Sequence, residues 1–136
     1  MALIVDFIRG LFTTEYTHQL GDPSVSCHML SKFLTPITVT ITTNTDFQVI
    51  AAVAAKYICV VNISASNTSA SLVHLDLREG PAGTIRYSMA LAANGGGYVK
   101  TFFPWYWQLP LATDLTAISS VAVTDIRLNV DYFTIA

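Results

Sequence analysis

The sequence predicts an all-β protein, an antiparallel two-sheet sandwich of about eight strands and jelly-roll type, preceded by an N-terminal arm that is partly helical. Three observations carry this expectation. Apolar and polar residues alternate with a period of two from residue 35 onward, turn-forming residues interrupt that alternation at short intervals, and the first 34 residues follow a helical spacing instead. The chain therefore divides into an arm, 1–34, and a sandwich domain, 35–136.

In the arm, Leu3, Ile4, Phe7, Ile8, Leu11 and Phe12 recur at the i, i+3, i+4 spacing of an amphipathic helix. Gly10 weakens that helix by about 1 kcal/mol relative to alanine. A second apolar piece, CHMLSKFL, follows the turn at GDP. The six apolar residues are expected to form a contact surface, either on the chain's own sandwich or on a neighbouring subunit.

The first strand, 36–43, sets Ile37, Val39 and Ile41 on one face and Thr38, Thr40 and Thr42 on the other, a half-buried run of β-branched residues. Strands at 47–54 and 57–65 are apolar on both sides, as strands covered on two faces are. The strand at 71–79 alternates Val73, Leu75 and Leu77 against His74, Asp76 and Arg78, and the one at 84–91 alternates Ile85, Tyr87, Met89 and Leu91 against Arg86, Ser88 and Ala90. Further strands are expected at 98–107, 112–118 and 126–134, the last carrying Ile126, Leu128 and Val130 inward. Between them lie SASNTSAS, EGPAG, NGGG, Pro110 and SS, all with turn chemistry.

The strand at 98–107 runs into FFPWYWQLP, 102–110, which holds both tryptophans of the chain. Strict alternation directs Phe103, Trp105 and Trp107 one way and Phe102, Pro104 and Tyr106 the other, so one set fills the sandwich and the other needs a partner. Pro104 has no N–H to donate, which places the segment at a sheet edge or a bulge. Phe103, Trp105, Tyr106 and Trp107 are accordingly the expected interface residues, each able to bury ~150–250 Å².

Charge and composition narrow the function classes. Only 12% of the 136 residues are charged and 52% are hydrophobic, with a net charge of -2 and no basic stripe. Soluble domains average roughly 25% charged residues, so this surface suits protein contacts, and a homo-oligomer, dimer or trimer, is expected. Nucleic acid is not an expected partner. The longest apolar stretch, 47–63, is broken by Gln48, Lys56 and Asn62, so no membrane span is expected. MALIVDFIRG has no basic n-region, from which cytoplasmic synthesis and reduced thiols at Cys27 and Cys59 are expected. In that setting the sequons at Asn62 and Asn67 carry no glycan.

The chemistry of turnover has no visible constellation. His18, His28 and His74 stand at no ligand spacing from a cysteine or from one another, so no metal is expected. His74 and Asp76 share a strand face, but no signature singles out a nucleophile beside them. NGGG precedes a strand, not a helix, and reads as a turn and not a phosphate cradle. No catalytic activity, cofactor or small-molecule substrate is expected.

Over residues 71–134 the cadence is more particular. A strand ends in a charged-glycine loop at Arg78–Gly83, the next leads to an Ala-Asn-Gly-Gly turn at Ala92–Gly97, and the apolar strand Val99–Trp107 precedes LATDL at Leu111–Leu115. This cadence resembles the small β-sandwich proteins of tailed bacteriophages, which occur as capsid decoration or cement proteins and in some tail and fibre components. The resemblance implies a structural, non-enzymatic protein of the virion, bound to the outer surface of an icosahedral capsid, with the major capsid protein as partner. The alternative is a carbohydrate- or receptor-binding module of a phage tail, fibre or head appendage, with Trp105, Tyr106 and Trp107 stacked on sugar rings.

Overall fold

The computed structural model describes residues 34–102, 105–122 and 125–136. The arm residues Leu3, Ile4, Phe7, Ile8, Leu11 and Phe12, the residues Cys27, His18 and His28, and Phe103 and Pro104 lie outside them. The chain divides into two units between Thr35 and Pro36, and the second holds the sandwich.

All regular structure among the described residues is β. The strands are β1 (Thr35–Ile41), β2 (Phe47–Ile50), β3 (Tyr57–Asn67), β4 (Val73–Glu79), β5 (Thr84–Leu91), β6 (Gly96–Thr101), β7 (Trp107–Gln108), β8 (Leu115–Ser119) and β9 (Ile126–Ile135). One sheet runs β1-β9-β3-β6, with β7 also on β3; the other runs β2-β8-β4-β5. The registered pairs β2/β8, β3/β6, β3/β7, β3/β9, β4/β5 and β4/β8 are all antiparallel. With β6 and β7 taken as one interrupted edge strand, eight strands fill two four-stranded layers in the connectivity of a jelly roll, as the alternation predicted.

The core is the inward half of each alternation: Ile41 from β1, Ile63 from β3, Val73, Leu75 and Leu77 from β4, Met89 and Leu91 from β5, Leu115 and Ala117 from β8, and Ile126, Leu128 and Val130 from β9. The outward half of the first sheet is wet, and its residues bond to one another across the strands. Thr38 Oγ1 donates to Asn129 Oδ1 (2.7 Å), and Asn129 Nδ2 donates to Ser64 Oγ (3.2 Å). Below that row, Thr101 Oγ1 donates to Asn62 Oδ1 (3.0 Å) and Asn62 Nδ2 to Asp131 Oδ2 (3.2 Å). Such cross-strand pairs fix register from outside while the apolar face fixes it from inside.

Asn67 holds one end of the sandwich. It is fully buried, and its Nδ2 donates to the carbonyls of Ser71 (2.8 Å), Ala92 (3.1 Å) and Leu91 (3.2 Å) while its Oδ1 accepts from the Ser69 N–H (3.0 Å). One side chain thereby serves the β3–β4 and β5–β6 connections together. An amide engaged in this way is closed to glycan attachment in the folded protein.

Three expectations about strands need correction. The segment 47–54 is a strand only to Ile50: its register on β8 shifts between Gln48 and Ile50, β8 begins at Leu115, and no strand among the described residues pairs with the exposed residues 51–56. The first half of β3 is buried on both faces as expected, but Asn62, Ser64 and Ser66 of its second half face the wet side. The largest difference is the segment 98–107, which is two strands separated by an excursion, so that nine strands stand where eight were predicted.

Candidate functional site

The excursion follows from a bulge in the neighbouring strand. β3 pairs Val60 with Tyr132 and Asn62 with Asp131, leaving Val61 as one extra residue. On the other side of β3, Thr101 at the end of β6 stands opposite Asn62, and Trp107 at the start of β7 stands opposite Val60. The connection from Thr101 to Trp107 therefore has only Val61 across from it. The Phe102 N–H still donates to the Val61 carbonyl (2.8 Å), the Trp105 N–H turns back to the Phe102 carbonyl (2.7 Å), and the Leu109 N–H reaches the Ile58 carbonyl (2.9 Å).

The aromatic side chains grip the sheet edge from both faces. On the inner side Tyr87 of β5 meets Phe102 and Trp107 edge-on, each at 5.0 Å between centroids, which closes the seam between the two sheets. Edge-to-face pairs of this kind contribute ~0.5–1.5 kcal/mol beyond their buried area. The Lys100 ammonium lies 5.8 Å from the Phe102 ring centroid. On the outer side Tyr106 packs edge-on against Phe133 at 5.3 Å. Burial, and after it the neighbouring Cys59, raises the Tyr106 phenol above its ordinary pKa. Cys59 is a free buried thiol, pushed up to about 12 by burial.

Among the described aromatic residues of this run, Trp105 is the one left over. It is 79% exposed, whereas Trp107 is 8% exposed. The two tryptophans thus do not share a face, contrary to the alternation expected of a continuous strand, because Thr101 and Trp107 stand opposite β3 residues only two apart. Of the expected interface residues, Trp107 is a core residue, Tyr106 is half-buried on Phe133, and Trp105 is presented to solvent.

Beside Trp107 lies an open cleft of about 330 Å³, lined by Glu79, Arg86, Tyr87, Trp107 and Gln108. A second bulge supplies its charged wall. β4 pairs Leu77 with Tyr87 and Arg78 with Ile85, so Arg86 is the extra residue of β5, and bulges of this kind re-aim side chains. Arg86 Nε donates to Glu79 Oε1 at 2.9 Å, and Trp107 Nε1 approaches the same oxygen at 3.4 Å. The hydrogen bond accepted by Glu79, then the charge of that carboxylate, holds the Arg86 proton more firmly than usual. Sequence reasoning singled out neither Glu79, Arg86, Tyr87 nor Phe133, since what gathers them is a pair of bulges that leave no mark in the alternation.

His74 is exposed and Asp76 half-buried on the wet face of β4. Among the described residues no three His, Cys, Asp or Glu side chains gather into a metal-binding group. No family model matches the chain, and no curated protein matches it.

Proposed function

We propose that the chain is a structural decoration protein of a bacteriophage capsid, which binds the outer capsid surface and stabilises contacts between major capsid protein subunits without turnover. The observation that carries the reading is Trp105, a large apolar side chain 79% exposed beside Phe102, Tyr106 and Trp107, which are packed down. Tryptophan is among the residues most enriched at the hot spots of protein interfaces. The jelly-roll connectivity, the low charge and the cadence of residues 71–134 support the same reading, although fold alone never fixes function.

A second reading, a carbohydrate- or receptor-binding module, has the cleft in its favour. Sugar recognition needs polar groups that fix orientation beside an aromatic wall, and Glu79, Arg86 and Gln108 stand beside Tyr87 and Trp107. The decisive measurement is the copy number of the chain in purified particles relative to the major capsid protein, combined with capsid binding by Trp105→Ala. The decoration reading expects a fixed stoichiometry and a loss of about 2 kcal/mol, roughly thirtyfold in Kd. Unchanged capsid binding by Trp105→Ala, together with glycan binding that Arg86→Ala abolishes, replaces it with the second reading.

A further inference from the structure

We infer that β6 is a pairing edge for a second copy of this chain, joined antiparallel about a two-fold axis at Val99. The inference stands independently of the capsid reading. It rests on which sheet edges are blunted and which is not. β2 is four residues long and shifts register, β5 is bulged at Arg86, and β1 opens on Thr35-Pro36, whose proline lacks an N–H. Bulges, short strands, prolines and edge lysines are devices by which edges avoid pairing. β6 carries a single one of them, Lys100, and its register on β3 is unbroken from Gly96 to Thr101.

The outward backbone groups of β6 follow from its hydrogen bonds. The Phe102 N–H donates to Val61, and Lys100 and Tyr98 pair with Ile63 and Ala65, so the even-numbered residues turn their backbone toward β3. Gly97, Val99 and Thr101 turn N–H and C=O the other way, into solvent, and all three are exposed, Val99 at 68%. A two-fold axis at Val99 sets Val99 opposite Val99 with both bonds exchanged, and sets Gly97 opposite Thr101.

The same register places Tyr98 of each copy opposite Lys100 of the other. The one charge on the strand then meets an aromatic ring and never its own like, and a cation over a ring is an attractive pair. An isologous contact of this kind closes on itself as a dimer, so it does not propagate. The result is one continuous sheet crossing both chains, with the two Trp105 tips at opposite ends of the paired strands.

Val99→Lys sets two ammonium groups directly opposite each other and, at so exposed a position, leaves the fold intact. Light scattering at micromolar concentration is expected to give twice the chain mass for the parent and the chain mass for Val99→Lys, both with the same circular dichroism. In a Cys27→Ser background, Val99→Cys is expected to form an intermolecular disulfide under mild oxidation, because residues across a hydrogen-bonded antiparallel pair have Cα atoms ~5.5 Å apart, within disulfide reach. Thr101→Cys, which meets Gly97, is expected not to. A monomeric or trimeric parent, a Val99→Lys dimer, or equal cross-linking at 99 and 101 overturns the inference.

Discussion

Replacing each tryptophan by alanine separates the two roles that the aromatic run combines. Trp107 is 8% exposed, touches Tyr87 edge-on and directs its Nε1 toward Glu79. A buried tryptophan removes up to ~250 Å² from water, which at ~25 cal/mol per Å² sets an upper limit of about 6 kcal/mol, and measured truncations of buried aromatics cost ~3–5 kcal/mol. Trp105, 79% exposed, removes only about a fifth of that area, or ~1 kcal/mol by the same conversion. Urea denaturation followed by circular dichroism is therefore expected to separate the variants by ~3 kcal/mol, a large part of the roughly 5–15 kcal/mol that holds a domain together. The chain has two tryptophans, so each variant keeps one reporter. The Trp105→Ala protein should emit at short wavelength and resist acrylamide, and a Trp107→Phe protein should emit at long wavelength and be quenched freely. Equal destabilisation by the two alanine substitutions would refute the assignment of Trp107 to the core and Trp105 to the surface.

Asn67→Ala leaves the carbonyls of Ser71, Leu91 and Ala92 without their shared donor, and unsatisfied buried groups cost ~1–3 kcal/mol each; calorimetry is expected to show a loss of about 3 kcal/mol, with Asn62→Ala costing about 1 kcal/mol. For Cys59 the folded protein binds its proton more tightly than the unfolded chain, because burial moves the thiol from 9.0 to about 12. Its contribution to stability is thus complete below pH 9 and is lost between pH 9 and about 12, and the stability difference between parent and Cys59→Ala should shrink only in that window. In Gly83→Ala the new Cβ stands inside the Glu79 carbonyl and within 2.9 Å of the Gly80 carbonyl oxygen, whereas at Gly95 it meets nothing and only the φ of +100° opposes it. Gly83→Ala is expected not to fold at 37 °C, and Gly95→Ala to fold with a loss of ~1–2 kcal/mol by thermal melting.

The sandwich was legible because its signals are local. Val73, Leu75 and Leu77, or Ile126, Leu128 and Val130, alternate without interruption, and each run is a strand with its apolar half inward. The stretch from residue 51 to 54 misled because alanine and valine satisfy a hydrophobic pattern without a partner strand to pair them. The aromatic site was legible in composition but not in shape. A tryptophan at position 105 and another at position 107 read as same-face residues only if the chain between them stays extended. Whether it does is decided by Val61, far earlier in the sequence, through a bulge that no periodicity announces. The cleft was illegible for the same reason: Arg86 meets Glu79 because β5 carries one residue more than β4 requires.

The bulge at Val61 also bears on engineering. Thr101 and Trp107 are registered on β3 two residues apart, so the segment between them is left out of the pairing, and its length is uncoupled from the alignment of the remaining strands. Loops in most sandwiches join different strands and bear the geometry of a turn; this one leaves an edge and rejoins the same edge. Residues inserted beside Trp105 leave the register of β6 and β7 on β3 intact, so a foreign peptide can be displayed there while Phe102 keeps its packing on Tyr87 and Tyr106 its packing on Phe133.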